Sequence, residues 1–321
     1  MLALVASCLA FSAAFCWILL WALIPKLSRR LLDQPNARSS HREPTPRGGG
    51  LAFVVVSAGS ILIAFVWGSH PSSALSHSLL PLVALPLAIV GLLDDRHNLP
   101  ASWRYGVQVV TAFLMLCLSP IQIPCLLLPL VIVAVTAVIN FTNFMDGLDG
   151  LVAGCMAVAF SGLALRLAAP WPIWTLIGAL VGFLLWNWSP AKVFMGDVGS
   201  TFLGAVFAGL VLQASNWPEA LGLLLVATPL LGDAFCCVLR RLSAGQRVFQ
   251  AHRLHLFQRL HQAGWPHACV SSLYITATAA LALALLAGGW HWVVGLALME
   301  LLVGVWLDQR VAVPFVEASQ S

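Results

Sequence analysis

Five carboxylates, Asp94, Asp95, Asp146, Asp149 and Asp197, fall at the ends of long apolar runs in a 321-residue chain that is only 9% charged. They form the patterns DD, DxxD and GDxGS, each beside glycines or asparagines. A lone acid at such a boundary reads as a solvated loop residue. Five in these patterns read as a site for a hard divalent cation and a phosphorylated substrate, because Mg2+ takes oxygen ligands and shares them with phosphates. Asp94 and Asp95 follow GLL at a helix end, where the dipole opposes them, so local stability does not account for them. One can bind a cation while the other serves as base. Asn140, Asn143, Asp146 and Asp149 recur every three residues and line one side of a tight helical turn, with oxygen donors for the same kind of ion. The EF-hand pattern is absent.

The stretch 187–200, NWSPAKVFMGDVGS, carries the most chemistry. Asp197 opens an apolar run, where a carboxylate also complements a helix N-terminus. That accounts for Asp197 alone, and not for Asn187, Lys192, Phe194, Gly196, Gly199 and Ser200 around it. Lysine neutralises phosphate, phenylalanine stacks on a base, and a glycine-rich helix start binds anions through exposed N–H groups. Segment 25–48 is basic and turn-rich; it reads either as a loop that fixes topology or as a place where His41, Arg42, Arg47 and Gly48–Gly50 meet a phosphate. In segment 239–268, a helix over 250–262 would set His252, His255 and Arg259 on one face, turned toward diphosphate above a basic amphipathic surface. Transition-metal binding there is disfavoured, since the local sequence offers no third soft ligand.

These segments need elements to hold them. The chain is 60% hydrophobic, against about 45–50% apolar in soluble domains. Eleven apolar stretches read as transmembrane helices: 2–24, 49–68, 79–93, 104–119, 123–139, 150–167, 171–187, 198–215, 218–238, 269–288 and 290–307. Helices satisfy their own backbone in lipid, so the expected fold is all-α, one polytopic membrane domain over 1–321. The first stretch lacks a basic leader and reads as an uncleaved span. With the amino terminus outside, 15 of the 16 Lys and Arg fall on inside segments and only Arg166 outside, as the positive-inside rule requires. The site segments 25–48, 94–103, 140–149, 187–200 and 239–268 then share the cytoplasmic face. The net charge of +4 reports topology and lipid contact rather than nucleic-acid binding. The eight cysteines are scattered without metal spacing and read as free, buried apolar residues.

Taken in order, GLLDD at 91–95, NFTNFMDGLDGL at 140–151, NWSPAKVFMGDVGS at 187–200 and HRLH at 252–255 resemble the polyprenyl-phosphate N-acetylhexosamine-1-phosphate transferases, over nearly the whole chain. The resemblance implies attack of undecaprenyl phosphate on the β-phosphorus of a UDP-HexNAc, with release of UMP. It implies that Asp94 faces the lipid phosphate with Asp95 beside it, and that Asp197 ligates Mg2+ (or Mn2+ in its place), with Asp149 near the metal and diphosphate. It puts Asn187 and Phe194 on the uridine side with Lys192 next to them. His252, Arg253 and His255 belong to the histidine loop on the diphosphate, and His41, Arg47, Asn140, Asn143 and Ser200 complete the substrate contacts. A bacterial inner-membrane location and a homodimer come with it. The run His252–Arg253–Leu254–His255 departs from the three consecutive histidines of the murein branch. It looks more like the branch that begins O-antigen or related surface glycans.

A transporter or flippase of a lipid-linked or phosphorylated substrate is the main rival, and it predicts acids near span centres. Only Glu300 is mid-span; Asp233 lies near an inner boundary. A membrane scaffold has no reason to gather acids on one face. The signature of CDP-alcohol phosphotransferases is absent.

Overall fold

The computed structural model describes residues 2–35, 43–66, 75–246 and 252–319. His41 and Arg42, singled out above, lie outside the described residues.

Among the described residues, each of the eleven apolar stretches is mainly helical. The elements are α1 (Leu2–Arg30), α2 (Gly50–Val66), α3 (Leu75–His97), α4 (Ala101–Cys117), α5 (Leu128–Phe144), α6 (Leu151–Arg166), α7 (Trp171–Asn187), α8 (Asp197–Val211), α9 (Trp217–Leu225), α10 (Thr228–Ser243), α11 (Leu256–Gln262), α12 (His267–Arg310) and α13 (Phe315–Ala318). Among the described residues, four helices are long and apolar enough to cross a membrane, or five if the bent pair α9–α10 is one span. The apolar helices α2, α6, α7 and α8 have only 15–17 residues. At 1.5 Å per residue these reach roughly 25 Å. The chain is a multi-pass membrane protein.

Three departures from the expected elements have local causes. The chain is not wholly α: Leu32–Asp33 (β1) pairs antiparallel with Thr45–Pro46 (β2), Leu32 opposite Pro46. The stretch 218–238 is not one continuous helix but is bent by 87° between α9 and α10. Pro229, at the start of α10, lacks a donor and clashes with a preceding turn, so a helix restarts there rather than continuing. The third departure concerns the polar segments, which are shorter than expected because helices run into them. Asp94 and Asp95 occupy the last turn of α3, and Asn140 and Asn143 the last turns of α5. One expected boundary is met closely. The two stretches separated at residue 289 belong to α12, interrupted at Gly289 (φ 68°, ψ −161°), a conformation reserved for glycine. The cysteines are free, but Cys117, Cys125, Cys236 and Cys269 are exposed rather than buried.

At the centre stands α8, with every side chain from Val198 to Val211 buried. Its amino end is met by two other helix ends at backbone distance. A Cβ on Gly91 of α3 would lie 2.5 Å from the Asp197 carbonyl, and one on Gly50 of α2 2.5 Å from Gly199 Cα. Only glycine permits such approach. The end of α3, and with it Asp94–Asp95, is thereby held against Asp197.

Candidate active site

Asp94, Asp95 and Asp197 form the centre. Arg104 of α4 joins two of them: Nη1 is 2.7 Å from Asp94 Oδ2 and 3.7 Å from Asp197 Oδ2. Asp94 Oδ1 also accepts from Leu99 N–H at 2.6 Å, so its carboxylate is fixed at both oxygens. Asp95 accepts from Val198 N–H at 3.3 Å, at the open start of α8, and lies 3.8 Å from Arg47 Nε. Arg47 also donates to the Asp95 carbonyl. The hairpin places Arg47: its N–H donates to Leu31 O. Phe194 N–H bonds Pro46 O, and Gly49 and Gly50 donate to the carbonyls of Phe194 and Met195. Segments 46–50 and 194–198 are thus laced together beside the acids.

The α5–α6 turn closes a second side. Asp146 is half-buried yet densely surrounded. Burial first, then the charges of Asp95 and Asp149, push its carboxyl up to about 7 against a hydrogen bond from the Gly196 backbone. Asp149 behaves oppositely. Burial works to raise it, but the bond and charge of His267 and the Ala191 N–H outweigh burial and lower it. His267 Nδ1 is 3.1 Å from Asp149 Oδ2, and Ala191 N–H reaches the same oxygen at 3.2 Å. Asn143 Oδ1 accepts from Ser200 Oγ at 2.5 Å. Asn140 exchanges two bonds with Gln108, at 2.7 and 3.2 Å, which tie α5 to α4. Asn187 is buried and braces backbone, accepting from Gly150 N–H (3.1 Å) and donating to Val193 O (2.9 Å). Lys192 Nζ sits 5.4 Å over the Trp186 ring.

The histidine loop flanks the turn but differs from its expected form. No single helix carries His252, His255 and Arg259, because α11 begins only at Leu256 with His255 as its N-cap. Asp233 of α10 accepts from Leu256 N–H (2.7 Å), Phe257 N–H (3.0 Å) and Tyr274 Oη (2.7 Å). The carboxylate thereby meets the orphan donors that start α11. His255 is buried, its ring 5.6 Å from Phe257 and 6.4 Å from Phe144. His252 lies 4.9 Å from His255, ring to ring. Burial, then the nearby His255 and Arg241, lower His252 to about 3, Asp233 opposing. Arg253 O accepts from Gln262 Nε2 at 3.1 Å. Arg259 does not face a diphosphate; it is 2% exposed, bonded to Leu254 O, Val313 O and Asp308. The third soft donor absent from the local sequence is Cys237 on α10, whose Sγ lies with nitrogens of His252 and His255 inside 4.8 Å of one another.

Two contributors escaped the sequence reading. His267 carried no motif of its own; a His just after Pro266 at a helix start was the sole sign. Asp233 was noticed only as a near-boundary acid. The oxygen-only donor set around Asp197 fits a hard ion such as Mg2+, and the crowding of Asp94, Asp95, Asp146 and Asp197 is repulsion that a divalent cation relieves.

These features define a class: a multi-helix membrane protein with carboxylates gathered at a glycine-rich helix start and a histidine loop beside them. Comparison with known proteins narrows it. Residues 77–215 match the model of glycosyl transferase family 4. The chain is 30% identical to a phospho-N-acetylmuramoyl-pentapeptide-transferase of Prochlorococcus marinus, over 73% of this chain and 75% of that one. It is 26% identical to a probable undecaprenyl-phosphate N-acetylglucosaminyl 1-phosphate transferase of Bacillus subtilis, over 74% and 71%. With a decaprenyl-phosphate N-acetylglucosaminephosphotransferase of Mycobacterium leprae it shares 28%, over 76% and 74%. The chain belongs to the polyprenyl-phosphate N-acetylhexosamine-1-phosphate transferase family.

Proposed function

We propose that this protein transfers a HexNAc-1-phosphate from a UDP-HexNAc to undecaprenyl phosphate, releasing UMP and forming the first lipid-linked intermediate of O-antigen or a related surface glycan. The observation that carries the reading is the meeting of Asp94, Asp95 and Asp197 at the buried start of α8, bridged by Arg104. Family membership supports the reaction, and the spacing of His252 and His255 supports the surface-glycan branch. The eleven crossings, a periplasmic amino terminus, a cytoplasmic site in the inner membrane and a homodimer complete the proposal; fifteen of the 16 Lys and Arg support that orientation.

Phosphoryl transfer asks a protein for alignment and charge neutralisation more than for covalent help. Asp197 and Asp149 would hold Mg2+ or Mn2+, which when bound neutralises the diphosphate oxygens. Asp94 faces the lipid phosphate. A phosphate monoester has its second pKa near ~6, so the nucleophile is largely ionised at neutral pH, and Asp94, fixed by Leu99 and Arg104, orients it rather than deprotonating it. Asp95 and Arg47 keep the start of α8 in place. His252, Arg253 and His255 border the diphosphate, while Phe194 and Lys192 serve the nucleotide, with Asn187 holding their loop.

The test supplies purified protein with undecaprenyl phosphate, Mg2+ and a panel of UDP-HexNAc donors, and measures UMP release and lipid-linked product. Turnover with one or more donors is the expected result. No product with any donor would overturn the reading.

A further inference from the structure

The histidine loop carries a donor set unlike that around Asp197. Cys237, 4% exposed, and His255, 2% exposed, stand with half-buried His252 so that one sulfur and two ring nitrogens lie within 4.8 Å of one another. Among the described residues no other group of Cys, His, Asp or Glu comes so close. One sulfur and two imidazole nitrogens are the ligands of zinc-class ions, whereas Mg2+ takes oxygen. A second observation points the same way. Nδ1 of His255 is fully buried and has no hydrogen-bond partner; its nearest acid, Asp233 Oδ1, is 3.8 Å away and that carboxylate is engaged by α11 and Tyr274. A buried ring nitrogen without a partner is unfavourable, and turning the ring onto an ion would relieve it.

We propose that Cys237, His252 and His255 form a binding site for a zinc-class divalent ion, separate from the carboxylate site, and that occupancy inhibits the transferase. The inhibitory half rests on the function proposed above: an ion on both imidazoles withdraws them from the diphosphate. On binding, the Cys237 thiol gives its proton to solvent and the thiolate forms the metal bond. Tetrahedral zinc lies about 2.0–2.3 Å from such donors, hence donors roughly 3.3–3.8 Å apart, so side-chain shifts of about 1 Å close the site. The 3.3 Å contact from Leu254 N–H to His252 Nδ1 is weak enough to yield. Three protein donors leave a fourth position for water or a phosphate oxygen.

The full-length protein in detergent, stripped by chelator, is titrated with Co2+ and read by absorbance. The expected result is one equivalent bound with a thiolate-to-cobalt charge-transfer band, abolished by Zn2+. Cys237→Ser should lose the band and bind Co2+ at least about 10²-fold more weakly, while Cys236→Ser, at the exposed neighbour, keeps both. With Mg2+ in excess, micromolar Zn2+ should inhibit the unmodified protein and spare Cys237→Ser, whose rate without zinc is unchanged. No thiolate band, or a band that survives Cys237→Ser, overturns the site. Zinc binding without inhibition overturns the regulatory half. The cobalt band reads out with no substrate present, so absent transferase activity would defeat the proposed function and leave the metal site to be judged alone.

Discussion

The carboxylate group at the start of α8 and the histidine loop before α11 touch the same turn between α5 and α6, yet they are built in opposite ways. Around Asp197 the donors are oxygens, and Arg104 and Arg47 only partly offset four mutually repelling acids. Around His255 the donors are nitrogen and sulfur and the walls are Phe144 and Phe257. The first region gathers like charges. The second is lined by aromatic rings and buries His255. Charge crowding marks one region and burial among aromatic rings the other.

The comparison breaks if Asp197 is dispensable. Asp197→Asn should lose at least about 10²-fold in turnover, the scale of removing an electrostatic contact to the transition state, with normal membrane insertion. Near-normal UMP release would remove Asp197 from the site. Arg259→Met tests the second region's architecture rather than its chemistry. Removing one partner of a buried charge pair is costly, here roughly 2–3 kcal/mol because Asp308 keeps Arg240. Thermal unfolding should show that loss, while turnover per folded molecule stays within about threefold; a large fall in kcat would return Arg259 to the diphosphate.

His267→Gln sharpens the boundary between the regions. It frees Asp149 from the bond that lowers its carboxyl, and about a tenfold fall in kcat is expected, in the range of lost positioning groups, with the apparent Mg2+ requirement raised. An unchanged Mg2+ dependence would make the pair merely structural. The smallest effect concerns pH. The Asp146 carboxyl is raised to about 7, so the fold favours its protonated form. That contribution is present at low pH and is lost as pH rises through about 7. In chelator, the melting temperature should fall between about pH 4 and 7 and level off above, and Asp146→Asn should flatten the slope; an unaltered slope would assign it to other groups.

Much of the first region was legible because its parts are contiguous in sequence. GDxGS contains both Asp197 and the glycines that let α2 approach, and GLLDD contains both acids and Gly91, which seats them. The break at Gly289 was equally local. The second region was legible only in its HRLH motif, since its partners come from packing between distant helices. His267 meets Asp149 only because α6 lies along α12, and Cys237 meets the histidines only because α9 and α10 bend by 87°. Periodicity put Arg259 with the histidines, but the carboxylate of Asp233 starts α11 only at Leu256, six residues later than expected, and the Arg259 guanidinium meets Asp308. The bend itself was signalled by Pro229, masked by the length of the apolar run around it.

The burial of α8 has a mechanical consequence. A helix whose side chains are all buried from Val198 to Val211 meets only protein, so its height is set by its neighbours and not by the thickness of the bilayer. Stretching or thinning the membrane loads the outer helices, such as α1 with its exposed Phe11, Phe15 and Trp21, through hydrophobic mismatch. Asp197 rides on the shielded axis, like an instrument mounted on the one post that does not touch the floor.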